Sequence, residues 1–212
     1  MKSLEEYLKL YAITDRKWAV KKSFLEQVEE VLWGGATILQ LREKHLLFDD
    51  FLKEAKEVKK LCQKYGVPLI INDNLAIAQE VKADGIHVGS NDESVSALRK
   101  KTGNSFIIGA TAKNLAQATK AAQEGASYLG VGAVYPSSTK KEALPVTKEE
   151  LLAICKGVSL PVVAIGGLQK EHIAELSPLG IKGCAFVSAL FGSHSIAEET
   201  KEIKALLDRF IV

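Results

Sequence analysis

Short apolar runs alternate strictly with longer amphipathic stretches from near the start of the chain to its end. The strand-like runs occupy Tyr11–Asp15, Thr37–Arg42, Leu69–Asp73, Gly85–Gly89, Phe106–Thr111, Tyr128–Tyr135, Val162–Gly166 and Cys184–Ser188. Most are rich in Ile, Val and Leu, the composition of parallel strands buried on both faces. Between them, apolar residues recur at helical spacing. Phe24, Val28, Val31 and Leu32 do so in Ser23–Leu32, and Phe48, Leu52, Ala55, Val58, Leu61 and Cys62 do so in Phe48–Tyr65. Helical patterns over Asn74–Val81, Val95–Lys101, Leu115–Gln123, Lys148–Cys155, His172–Leu176 and Ala197–Phe210 complete the set, and Leu4–Leu10 reads as a short leading helix. Gly35, Gly66, Gly125 and Gly180 stand where helix C-caps belong. Eight strands and eight helices joined by short connections predict one α/β domain over residues 1–212, a closed (β/α)8 TIM barrel with a short N-terminal helix. An open doubly wound sheet is the alternative. The chain has no G-x-G-x-x-G after its first strand, so the usual dinucleotide fingerprint of that alternative is missing.

Charge then narrows the partners. The chain has 28 basic against 26 acidic residues, so no global field draws it to nucleic acid or to an anionic membrane. The N-terminus, MKSLEEYLKLYAITD, lacks the apolar core of a signal peptide, and no run reaches the roughly 18 apolar residues of a membrane span. Cys62, Cys155 and Cys184 are odd in number and far apart, so buried free thiols are expected, and with them a reducing, cytoplasmic setting. Nothing in the chain sets an oligomeric state; a homo-oligomer stays open.

In a barrel the C-terminal strand ends converge on one face, and that face carries the chemistry. Here those ends are polar. Strand two runs out in Gln40, Leu41, Arg42, Glu43 and Lys44, strand three in Asn72 and Asp73, and strand five in Thr111. Strand four holds His87 and is followed by Asp92, while strand seven ends in Gly166 and Gly167 and strand eight in Val187 and Ser188. Pro136 ends the sixth run, and Ser137, Ser138, Thr139, Lys140 and Lys141 follow it. Gln40, Arg42 and Lys44 alternate and so share one strand face. A guanidinium fork and an ammonium suit a diphosphate, and an amide can orient a heterocycle. Asp73 and Asp92 offer two carboxylates to Mg2+, which prefers oxygen ligands and retains waters and phosphate oxygens; Asp92 is alternatively an N-cap for the helix from Val95. The Gly166–Gly167 and Val187–Ser188 pairs lie where many barrels bind a phosphate. His87 reads as a hydrogen-bonded structural histidine ahead of a base.

These residues resemble thiamine-phosphate synthase. The likeness runs over nearly the whole chain: Q-L-R-E-K at Gln40–Lys44, I-N-D at Ile71–Asp73, A-D-G-I-H-V-G at Ala83–Gly89, G-V-G-A-V-Y-P-S-S-T-K at Gly130–Lys140, A-I-G-G at Ala164–Gly167 and V-S-A at Val187–Ala189. The resemblance implies condensation of hydroxymethylpyrimidine diphosphate with hydroxyethylthiazole phosphate to thiamine phosphate, with release of pyrophosphate and Mg2+ as cofactor. It implies that Gln40, Leu41, Arg42, Glu43, Lys44, Asn72, Thr111 and Lys140 meet the pyrimidine diphosphate, with Arg42, Lys44 and Lys140 catalytic. Ser137, Ser138, Thr139, Gly167, Val187 and Ser188 would hold the thiazole phosphate, and Asp73 and Asp92 the metal. The chain departs from the family pattern at Ser90, where glutamine is common, and at Thr111 and Lys113, where a serine and a histidine often stand. The rival readings are a thiazole tautomerase of similar fold and a non-catalytic barrel that binds a phosphorylated ligand.

Overall fold

The computed structural model describes residues 2–20, 22–136 and 145–211. The eight strands close into one parallel barrel in sequence order, with β1 pairing β8. The chain runs α1 Leu4–Leu8, β1 Leu10–Ile13, α2 Phe24–Trp33, β2 Ile38–Leu41, α3 Phe48–Tyr65, β3 Leu69–Asn72, α4 Leu75–Glu80, β4 Gly85–Val88, α5 Val95–Thr102, β5 Ile107–Ala112, α6 Leu115–Gln123 and β6 Tyr128–Val131. It continues through α7 Lys148–Gly157, β7 Val162–Ile165, α8 Ile173–Leu176, β8 Gly183–Phe186, α9 Ser188–Phe191 and α10 Ile196–Phe210.

Every expected element is present, and most boundaries move by one to three residues. The largest difference is at β6. The apolar run to Tyr135 predicts a long strand, but β6 ends at Val131. Gly132 lies so close to β7 that a Cβ there would sit 1.9 Å from the Ile165 carbonyl oxygen. Beyond it the chain still bonds to the end of β7, through Val134 N–H to Ile165 O and Tyr135 N–H to Gly166 O, both at 3.0 Å. Ser188, read as the end of strand eight, instead opens α9.

Two apolar layers follow from the period of two. Leu39 and Leu41, Leu69 and Ile71, Ile108 and Ala110, and Leu129 and Val131 point outward to the helices. The alternate residues Tyr11, Ile13, Ile38, Ile70, Tyr128, Val163 and Ala185 pack inside, where Leu8 of α1 joins them. A Cβ on Gly109 would lie 2.2 Å from the Tyr128 ring and 2.5 Å from His87 Nδ1, so glycine at this inward position makes room for both side chains.

The N-terminal strand ends are stapled by polar groups. Asp84 accepts from Leu69 N–H and from Lys59, and Arg99 donates to the carbonyls of Gly103, Phe106 and Gly125. These bonds satisfy backbone oxygens and nitrogens that no helix or ladder covers. Cys62 and Cys184 are buried free thiols, whereas Cys155 is half-buried, and burial pushes the Cys62 thiol up to about 12. No helix among the described residues is long and apolar enough to cross a membrane.

Candidate active site

The C-terminal mouth of the barrel holds a cavity of about 570 Å³. Gln40, Arg42, Lys44, Asn72, Asp73, Asp92, Thr111, Gly167, Val187 and Ser188 all line it, drawn from six strand ends. Tyr11, Ile13, His87, Tyr128, Val163 and Ile165 are also among the residues of its wall, as are Ser90, Asn91, Lys113 and Ala185. Ser137, Ser138, Thr139 and Lys140 lie outside the described residues.

On the β2–β4 side, Thr14 sets the end of β2. Its N–H donates to Gln40 O at 3.0 Å and its hydroxyl accepts from Arg42 N–H at 2.9 Å. Arg42 leaves the strand from there, and the Lys44 ammonium pairs with the Asp73 carboxylate. Asp73 has φ of 61°, a left-handed conformation that non-glycine residues seldom adopt. This turn leads straight from β3 into the Asn74 cap of α4. The neighbouring Asn72 is buried, and its Nδ2 has no hydrogen-bond partner among the described residues. Asn72 also lines the cavity, and a buried amide nitrogen without a partner calls for an acceptor, such as a phosphate oxygen, to offset its lost hydration.

Asp92 is not a helix cap. Ser94 takes that position, accepting from Ala97 N–H at 3.3 Å, while Asp92 Oδ2 accepts from Gly89 N–H at 2.7 Å. The cavity therefore has one carboxylate held by its own loop after β4, Asp92, and a second after β3, Asp73. Among the described residues no group of three or more His, Cys, Asp or Glu side chains could hold a metal ion. Two carboxylates fit a cation that keeps waters and takes other oxygens from a bound diphosphate, and do not fit an all-protein cage.

The floor is a chain of side-chain hydrogen bonds. Gln40 Nε2 donates to Tyr11 OH at 2.9 Å, and the Tyr11 and Tyr128 hydroxyls lie 2.6 Å apart. Tyr128 OH is 3.0 Å from His87 Nδ1, and His87 Nε2 is 3.0 Å from Thr111 Oγ1. Burial raises the pKa of both phenols well above the ordinary tyrosine value. His87 is thus hydrogen-bonded, as the sequence suggests, yet it lines the cavity.

On the opposite side Gly166 and Gly167 both have positive φ, 97° and 65°. A Cβ on Gly167 would lie 2.3 Å from Pro136 O and 2.7 Å from Tyr135 O. Glycine here lets the β7 turn approach both the segment leaving β6 and whatever fills the cavity. Tyr135 stacks on His172 with ring centroids 3.8 Å apart, and its hydroxyl donates to Glu175 at 2.6 Å.

Two of the residues assigned to the pyrimidine diphosphate do not line the cavity. Leu41 faces outward into the layer between barrel and helices, as its parity with Leu39 dictates. The Glu43 side chain also turns away from the cavity. It pairs with Arg16, which also pairs with Glu54 on α3, and burial raises the Glu54 pKa against the pull of that arginine. The sequence reading missed Tyr11 and Tyr128. Their signal was present, because an inward parity on β1 and β6 puts a phenol in the barrel interior.

Residues 10–190 match the family model described as thiamine monophosphate synthase. The chain is 44% identical over 209 residues to a thiamine-phosphate synthase of Clostridium botulinum, covering 99% of this chain and 98% of that one. It is 46% identical over 202 residues to a thiamine-phosphate synthase of Methanobrevibacter smithii, covering 93% and 96%. The solved structure of a thiamine phosphate pyrophosphorylase from Pyrococcus furiosus superposes with a TM-score of 0.92 at 32% identity, covering 99% of this chain and all of that one. A 3-hexulose-6-phosphate synthase structure, at 15% identity and a TM-score of 0.69, shares the fold.

Proposed function

The chain belongs to the thiamine monophosphate synthase family and is a transferase, and from that premise we propose how its cavity makes thiamine phosphate from hydroxymethylpyrimidine diphosphate and hydroxyethylthiazole phosphate. The observation that carries the reading is the gathering of Gln40, Arg42, Lys44, Asn72, Asp73, Asp92 and Thr111 around one cavity beside Gly167, Val187 and Ser188.

The diphosphate is bound on the β2–β4 side. Arg42 offers a planar fork, Lys44 a point charge, and Asn72 Nδ2 an N–H that has no other acceptor among the described residues. The bond from the pyrimidine methylene carbon to the diphosphate oxygen breaks, and its electron pair leaves with pyrophosphate. Arg42 and Lys44 stabilise the charge that builds on the leaving oxygens, which is the largest demand of such a step. Lys140 joins them on this reading. The thiazole nitrogen then donates its lone pair to the same carbon, forming the C–N bond of the thiazolium. That nitrogen carries no proton, so the step requires no base. Apolar walls from Ile13, Val163, Ile165, Ala185 and Val187 limit water at the exposed carbon.

Asp73 and Asp92 would hold Mg2+, which when bound would neutralise charge on the diphosphate. The thiazole phosphate is assigned to Ser137, Ser138, Thr139, Gly167, Val187 and Ser188, and the cytoplasm is the setting.

The test is pyrophosphate release with both substrates and Mg2+, run beside reactions lacking the thiazole phosphate or containing a chelator. Release that requires all three, matched mole for mole by thiamine phosphate, is the expected result. Release without the thiazole phosphate would contradict the coupled reaction, and full activity in chelator would remove the metal from it.

A further inference from the structure

β2 ends at Leu41, so Arg42, Glu43 and Lys44 lie beyond the strand ladder. Arg42 and Lys44 line the cavity, and Glu43 between them does not. What holds these residues comes from the segment after β1. Thr14 Oγ1 accepts from Arg42 N–H at 2.9 Å. Two residues further on, Arg16 reaches Glu43 with two nitrogens: Nε donates to Oε2 at 3.3 Å, and Nη2 lies 3.2 Å from Oε1. Arg16 is itself held from two other directions. Its Nη2 pairs with Glu54 on α3, and its guanidinium lies 4.8 Å from the centroid of the Phe24 ring at the start of α2. Both carboxylates are largely out of water, with the Glu43 side chain 5% exposed and that of Glu54 15%.

This cluster is a poor stabiliser. Two carboxylates share one guanidinium, and Glu43 Oε1 and Glu54 Oε1 are buried without accepting a hydrogen bond among the described residues. Desolvation of such charges offsets much of their attraction. What the cluster supplies is direction. A planar fork that meets both oxygens of a carboxylate fixes its orientation, whereas an ammonium is a point charge. Successive side chains of an extended segment point to opposite sides, so pinning Glu43 behind the wall turns both of its neighbours into the cavity. We propose that Arg16 is a positioning residue for the reaction, acting through Glu43 to hold Arg42 and Lys44 on the departing diphosphate. The inference rests on the assignment of those two residues to the diphosphate made above. Arg16 does not line the cavity, so its effect on the chemistry is indirect. Misplacing a substrate clamp by about 1 Å can cost on the order of 10²-fold in rate, which is ample leverage for a contact behind the wall.

The experiment is a pair of double-mutant cycles on kcat/KM for the pyrimidine diphosphate. Arg16→Lys, which keeps the charge and loses the fork, is made in the unaltered protein, in Arg42→Ala and in Lys44→Ala. The unfolding midpoint and the KM for the thiazole phosphate are recorded for each. In the unaltered protein, Arg16→Lys is expected to lower kcat/KM about tenfold or more, with the KM for the thiazole phosphate within about twofold of the parent. In either alanine background the same substitution is expected to cost at least about threefold less, because part of what Arg16 positions is already gone. An unaltered kcat/KM in Arg16→Lys, or a loss of equal size in all three backgrounds, would make the arginine merely structural and overturn the inference. Arg42→Ala and Lys44→Ala that are each as active as the parent would instead overturn the diphosphate assignment, and this inference with it. Should Arg16→Lys fail to fold, Glu43→Gln takes its place in the same cycles. It keeps the side-chain shape and one oxygen for Arg16 and removes the grip on two oxygens, and the same outcomes support or overturn the proposal.

Discussion

Lys44, beyond the end of β2, forms an ion pair with Asp73, the residue that follows β3, at the mouth of the barrel. Both side chains are partly exposed, so the pair contributes at most about 1 kcal/mol to folding. Its weight lies in function, because the same two charges are assigned to the diphosphate and to the metal. Lys44→Ala should leave stability within about 1 kcal/mol of the parent while lowering kcat/KM at least about tenfold. Titration with Mg2+ alone should show tighter binding in this variant, since Asp73 has lost its competitor. Weaker Mg2+ binding would mean that Asp73 does not face the metal.

Asp73 also tests the turn it occupies. Its φ of 61° costs an ordinary residue roughly 1–2 kcal/mol, and glycine pays nothing for it. Asp73→Gly should therefore be as stable as the parent or up to about 1 kcal/mol more so, with turnover lost. Thermal unfolding beside a pyrophosphate assay checks this. A variant that is both active and stabilised would show that the carboxylate has no part in the reaction.

Asp92 is held differently, by a bond of 2.7 Å from its own loop at Gly89 N–H. Asp92→Asn keeps an oxygen for that bond and removes the charge. The Mg2+ concentration for half activity should rise about tenfold or more, with the unfolding midpoint nearly unchanged. An unaltered Mg2+ requirement would exclude this residue from the metal.

Gly167→Ala adds a methyl group where Pro136 O is 2.3 Å away, at a φ of 65°. Backbone on both sides must shift, so the start of the segment after β6 moves out of place. The barrel should still fold, at a cost of about 1–3 kcal/mol. KM for the thiazole phosphate should rise more than KM for the pyrimidine diphosphate. Equal rises would count against a phosphate subsite at this turn.

The buried phenols make stability depend on alkaline pH. Burial holds Tyr11 and Tyr128 protonated in the folded state above their ordinary range, whereas the unfolded chain releases those protons near pH ~10. Their contribution is thus fully present below about pH 10 and is lost as pH rises toward the folded values, by about 1.4 kcal/mol per pH unit for each phenol that stays protonated. Urea unfolding between pH 8 and 11 should show this slope, and Tyr11→Phe should flatten it by about one proton. An unchanged slope in that variant would assign the alkaline loss to other groups.

The alternation of short Ile/Val/Leu runs with amphipathic stretches was enough to establish the barrel, because a parallel strand buried on both faces and a crossover helix each leave a local periodic mark. The same period of two separated Gln40, Arg42 and Lys44 from Leu41 and Leu39. The carbonyl ends of the strands are therefore legible in the sequence as one polar mouth. What the chain could not display was anything that depends on a partner distant in sequence. Glu43, beside Arg42 in every reading of the motif, turns to Arg16 from the previous loop. Asp92 gives the cap of α5 to Ser94 and closes on Gly89 instead. Tyr128 stands 117 residues from Tyr11, yet their hydroxyls meet at 2.6 Å, because closing the barrel brings β1 and β6 across one interior and Gly109 leaves the space. Periodicity is a property of neighbours along the chain, and it determined the strands, their faces and the end that carries the chemistry. Which side chain answers which across the barrel was decided only by closure, since that alone sets the distances over which hydrogen bonds and ion pairs act.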